Sequence, residues 1–195
     1  MYRHGHLGIT LLILAPISYA LVQTGQFALT GLLVLGVLII EPLPDNDHWV
    51  PGLSHRGVSH SLLTAGVIGL ICAGCGWLLG RYLTVPLAHW MQTSVLPATN
   101  TTVVVIATEQ LAALTPETLA GLGFVIGVLG ICAHLAGDII TVSGIHPFLP
   151  FSRRRISLSR LRAASTLANT VFLLLGVLAM GTVIFALSPF AGAFP

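Results

Sequence analysis

The chain has 195 residues, the length of one domain, and its composition gives no reason to divide it. Charged residues make up 7% and apolar residues 55%, against about 25% and about 45–50% in soluble domains. With a mean hydropathy of +0.94, this excludes a soluble globular protein and points to an integral membrane one, while a formal net charge of +2 gives no reason to expect nucleic acid as a partner.

Taken in order, five apolar segments stand out, at residues 7–22, 27–40, 62–79, 119–142 and 163–187. The last three are long enough to cross about 30 Å of hydrocarbon, which takes about 20 residues. The first two are shorter, and the polar turn Gln23-Thr24-Gly25-Gln26 joins them into a helical hairpin that spans with its flanks included. Arg3 and Ser18-Tyr19-Ala20 give a faint signal-peptide pattern, but a second apolar segment follows at once, so retention of the first helix is expected. The fold class that follows is an all-α, multi-pass membrane protein of about five transmembrane helices, residues 1–195 forming a single membrane domain.

All eight basic residues are arginines. With five spans, Arg3, Arg56, Arg153, Arg154, Arg155, Arg160 and Arg162 fall on one face and Arg81 alone on the other, so the positive-inside rule makes the first face cytoplasmic. The opposite face carries the connection 81–117, with His89 and Trp90 as interfacial anchors, a run at 103–107 too short to span, and a glycosylation sequon at Asn100-Thr101-Thr102. The five arginines of the 143–162 loop read first as topology signals and headgroup contacts. Cys72, Cys75 and Cys132 lie within apolar runs; Cys72-x-x-Cys75 has no second pair and reads as packing.

The arginine-rich face also gathers most of the other ionisable groups: His4, His6, Glu41, Asp45, Asp47, His48, His55, His60, His134, Asp138 and His146. A carboxylate inside a membrane helix costs about 2.5–3.5 kcal/mol at mid-depth on insertion scales, so it tends to be paired or functional. His134 and Asp138 are four apart, on one helical face and about 6 Å apart along the axis, a spacing at which imidazole and carboxylate can share a divalent ion. Asp45, Asp47 and His48 follow Pro44, which ends the second helix and leaves them at the interface. His55 and His60 flank Arg56-Gly57, with Ser59 as the expected N-cap of the third helix. His6 opens the first helix on the same side, whereas His4 and His146 read as surface residues.

Imidazoles and carboxylates gathered in this way suit zinc or manganese, or iron, as one or two divalent ions. The expected metal ligands are His6, Asp45, His48, His60, His134 and Asp138. Asp47 and His55 are expected in general acid–base roles, and Arg56 at developing negative charge.

Leu43-Pro44-Asp45-Asn46-Asp47-His48, His55-Arg56-Gly57-Val58-Ser59-His60-Ser61, and His134-Leu135-Ala136-Gly137-Asp138 with Thr141, Gly144 and Pro147 resemble, in this order, the YdjM-like family of membrane-associated, metal-dependent hydrolases. The Gly5-His6 opening is similar too, while Asn46 stands where the family usually has an aliphatic residue. The resemblance implies a multi-span membrane protein with a metal-activated water. A site at the membrane surface would favour a lipid phosphate or lipid ester as substrate, with membrane lipid as the partner. A divalent-cation transporter, or a metal-binding membrane protein without turnover, is the alternative.

Overall fold

In hydrocarbon every backbone amide must find a partner inside the protein, so an isolated apolar run has one option, the α-helix. The computed structural model describes residues 1–49, 57–99 and 101–186. Its helices are α1 (Arg3–Gln23), α2 (Phe27–Ile40), α3 (Leu62–Thr99), α4 (Thr102–Ala112), α5 (Pro116–Ile139) and α6 (Thr166–Ala186). Among the described residues, five helices are long and apolar enough to cross a membrane: all but α4, with α2 counted together with its extension to Asp47. This is the expected all-α membrane fold.

Two boundaries differ from the expectation, each for a local reason. α1 starts at Arg3, so its 21 residues reach about 31 Å and the short first segment becomes a full-length helix. The third helix does not end at Leu79. It passes through two π-helical turns, Gly80–Thr84 and Met91–Val95, and reaches Thr99. Its 38 residues make about 57 Å, nearly twice the hydrocarbon thickness, because Arg81 and His89 interrupt the hydropathy but not the backbone bonding. α4, of 11 residues, packs back on this extension.

α5 is the centre of the bundle and packs against α1, α2 and α3. It starts on a defined cap: Thr115 accepts a hydrogen bond from the Thr118 amide (3.2 Å), followed by Pro116 and then Glu117 in the first turn. Lipid tails are as apolar as leucine, so helices associate here through close backbone contact at small residues. A Cβ at Gly127 of α5 would fall on the backbone of Gly69 in α3, and one at Gly176 of α6 would fall on that of Gly8 in α1. At the other end of the bundle the Gln110 side chain pins the α1–α2 turn. It accepts from Ala28 N (3.2 Å) and donates to the carbonyl of Gly25, which has φ +75°.

The segment between α5 and α6 is an ordered cap. Backbone bridges join Thr141 to Leu161 and Ile145 to Ile156, and the Leu62 amide at the start of α3 donates to Pro147 O (2.9 Å). Ile145 is fully buried with Ala65, Ile131 and Leu135. Arg153, Arg154, Arg155, Arg160 and Arg162 are all exposed on this cap.

α6 fixes the start of α1 through Asn169, which is fully buried in an otherwise apolar helix. Its Oδ1 accepts from Tyr2 N (3.0 Å), and its Nδ2 donates to Ala163 O (3.0 Å) and Ser165 O (2.7 Å). Asn169→Leu strands these groups, and the expected loss is about 1–3 kcal/mol. Thermal unfolding in detergent measures it.

Candidate metal centre

The cluster is assembled from four places in the chain at one end of the bundle. α1 brings His6 in its first turns. The end of α2 and the 3-10 helix after it (Leu43–Trp49) bring Glu41, Asp45 and Asp47. A second 3-10 helix (Val58–His60) brings His60, and α5 brings His134 and Asp138. His6, Glu41, Asp47, His60, His134 and Asp138 are all buried, while the Asp45 side chain is 45% exposed and gives the cluster its access to water.

Two imidazole nitrogens face the same two carboxylates. His60 Nε2 lies 3.4 Å from Asp45 Oδ1 and 3.7 Å from Asp138 Oδ2, and His134 Nε2 stands at the same 3.4 and 3.7 Å from those atoms. Donors about 2.0–2.2 Å from a central ion at tetrahedral corners stand about 3.3–3.6 Å apart, so the spacing fits a small divalent ion. His134 Nε2 is buried and, among the described residues, has no aligned hydrogen-bond partner, which is what an absent ligand would leave. These four residues form one group that could hold a metal ion, and His6, Glu41 and His134 form another.

The far nitrogen of each imidazole is also held. His134 Nδ1 is 3.2 Å from Glu41 Oε1. The Ser59 hydroxyl donates to Asp47 Oδ2 (2.9 Å), leaving its oxygen to accept from His60 Nδ1 (3.0 Å). A proton on Nδ1 satisfies both contacts and would turn each Nε2 lone pair toward a bound ion, in place of the His60 Nε2···Asp45 Oδ1 hydrogen bond (3.4 Å). A neutral imidazole offers a single lone pair, so His134 can serve one of the two groups at a time. Glu41→Gln keeps the shape but weakens the acceptor, and metal affinity should fall about 10–100-fold, measurable by competition with a chelator.

The outer side of Asp138 has different neighbours. Its Oδ1 is 3.1 Å from the Met1 ammonium and 3.5 Å from His6 Nε2. The His6 ring lies parallel on His134, with centroids 4.2 Å apart. Gly137 makes room for it, since a Cβ there would strike the His6 ring.

Of the residues expected from sequence, His6, Asp45, Asp47, His60, His134 and Asp138 are therefore brought together. His55, Arg56 and the side chain of His48 lie outside the described residues. Asp47 sits behind His60, 3.7 Å from its Nδ1. Ser59 does not cap the third helix. Asp47 holds its hydroxyl, and Ser61 caps α3 instead, accepting from Thr64 N (3.3 Å). Glu41 is the residue that spacing missed. Its signal was an acid at the end of an apolar helix, but its partner His134 is 93 positions away.

No curated protein and no solved structure matches the chain. A family model described as the YdjM inner membrane protein matches residues 1–193. With its spanning helices and its buried His/Asp/Glu cluster, the chain belongs to the YdjM inner membrane protein family.

Proposed function

We propose that this protein is a metal-dependent hydrolase acting on a lipid-like phosphate or ester at the cytoplasmic face of the membrane. The observation that carries the reading is the pair of Nε2 atoms facing two carboxylates at coordination spacing, buried except on the Asp45 side. Asp45, His60, His134 and Asp138 would hold one divalent ion, zinc or manganese, because His134 cannot serve both groups at once. Such an ion supplies Lewis acidity and a water acidified toward a pKa of about 7.

The chain's own residues do the rest. Glu41 and the Ser59–Asp47 pair hold the two imidazoles at Nδ1, which turns each Nε2 toward the ion. His6, on the outer oxygen of Asp138, is placed to accept or return a proton. Asp45, half in solvent, marks the side on which substrate enters. His55 is assigned to acid–base work, and Arg56 to the negative charge that develops on the attacked group.

The cytoplasmic placement is supported by the arginines of the cap, at the same end as the cluster. Transport sites usually lie near the bilayer midplane on broken helices, whereas this cluster gathers at helix ends, which favours hydrolysis over cation transport. The test is release of phosphate or fatty acid from a panel of lipid phosphates and lipid esters by protein in nanodiscs, with and without added zinc or manganese. Metal-dependent turnover that His60→Ala abolishes is expected. Silence across the panel, with labelled metal crossing proteoliposomes, would establish the transporter instead.

A further inference from the structure

The five arginines between α5 and α6 are the largest block of charge that the proposed chemistry does not use. Residues 139–165 contain Arg153, Arg154, Arg155, Arg160 and Arg162 and no acid. All five are exposed. The ion pairs among the described residues all lie within the cluster, and none of them uses an arginine.

A topology signal needs only charge near the end of a span, in any conformation. This segment is folded. Ile145 and Ile156 exchange both backbone hydrogen bonds (3.0 and 2.9 Å), and the Leu158 amide donates to Ile139 O at the end of α5 (2.8 Å). The Ser157 hydroxyl donates to Thr141 O (2.7 Å). These bonds hold the backbone around the arginines, so less freedom is lost when several of them engage one surface.

Apolar side chains frame the charges. Phe151 and Leu158 are 86% and 75% exposed, and Phe148 is exposed as well. Phe148 and Phe151 line one apolar hollow with Leu62 and Leu63, which are exposed in the first turn of α3. The two rings therefore stand level with the start of a spanning helix. On the other side, Arg162 lies four residues before α6, whose first turn exposes Leu167. Arginines interleaved with exposed Phe and Leu, between two membrane edges, are the pattern of a segment that lies in the interface.

We propose that the cap between α5 and α6 binds the anionic phospholipid headgroups of its own leaflet, the five arginines on the phosphates and Phe148, Phe151 and Leu158 in the acyl boundary. Guanidinium suits this ligand, because it offers a planar fork of donors to phosphate oxygens. Attraction to an anionic leaflet falls off within a Debye length, so a surface lying in the interface feels it in full. A nucleic acid or an acidic protein would meet the same charges, but would leave the apolar side chains without a partner. The cap is joined directly to the cluster. Thr141 follows Asp138 by three residues, and Leu62, which donates to Pro147 O, follows His60 by two. Lipids gathered by the cap thus stand beside the expected metal ligands. The binding claim does not rest on the hydrolase reading; joined to that reading, it narrows the substrate to lipids with a negatively charged head.

The probe is spin-labelled phosphatidylglycerol, compared with spin-labelled phosphatidylcholine, in phosphatidylcholine vesicles holding the full chain. A chelator is present, so that binding is read without turnover. The motionally restricted fraction in electron paramagnetic resonance gives the relative affinity of the two lipids. Phosphatidylglycerol should be favoured several-fold at low salt, and high salt should shrink that ratio. R153Q/R154Q/R155Q should bring it most of the way to one, while Arg81→Gln, at the far end of the bundle, should leave it unchanged. If the triple variant does not fold, R160Q/R162Q makes the same comparison, and if neither folds the wild-type ratio and its salt dependence decide. A wild-type ratio of one, a ratio that salt does not reduce, or one that the arginine variants keep, would overturn the proposal. Lipid turnover without this preference would sink the inference alone, and preference without turnover would sink the hydrolase reading alone.

Discussion

Asp138→Ala should leave the protein with no retained metal, its affinity for zinc or manganese down by more than the roughly 100-fold that the loss of a supporting hydrogen bond can cause. The reason is that Asp138 works on two sides at once. Its Oδ2 is one of the two carboxylate oxygens facing His60 and His134, and its Oδ1 meets His6 and the Met1 ammonium. Alanine removes a donor and also leaves buried polar groups without their counter-charge, so a stability loss of about 3–5 kcal/mol is expected with it. Asp138→Asn separates the two effects, because it keeps the volume and one oxygen but not the charge. Metal content after dialysis, read beside the unfolding temperature, checks both. Asp138→Asn should retain more of the fold than of the metal.

The second large effect lies at a helix seam outside the cluster. Gly127→Leu should destabilise the bundle at or above the top of the roughly 1–3 kcal/mol range for overpacking, because the new side chain meets backbone and not a movable side chain. The Gly69 backbone of α3 occupies that space. Gly74→Leu on α3 is the control, since a Cβ there meets nothing within 4 Å and the change should be close to neutral. The seam also carries chemistry: His134 lies two turns along α5 from Gly127, so parting α3 from α5 should lower metal retention as well. Unfolding temperature and metal content of the two variants, measured in parallel, give the comparison.

How much of this was legible in the sequence depends on the range of the interaction. The five spans were legible because apolar length is a local property, and α5 in particular was marked by its own run. The pairing of His134 with Asp138 was legible because four residues on a helix make neighbours. Glu41 was not, since the helix period says nothing of a contact made across the bundle. The cap of α3 was misplaced for a related reason. Ser59 and Ser61 are equal candidates by residue type, and Asp47, twelve positions before Ser59, draws Ser59 away. The length of α3 was hidden by Arg81 and His89, which lower hydropathy without breaking a helix. Asn169 gave a polar signal in an apolar run, but its role depends on Tyr2, at the other end of the chain.

One divalent ion held by two imidazoles and two carboxylates is the core of the proposed site, and X-ray absorption of the purified, zinc-loaded protein reads that coordination shell. Near-stoichiometric metal is expected, with about four nitrogen and oxygen donors at about 2.0–2.2 Å and the multiple-scattering signature of two histidines. Sulfur in the coordination shell, a shell without histidine, or protein that retains no metal would contradict it.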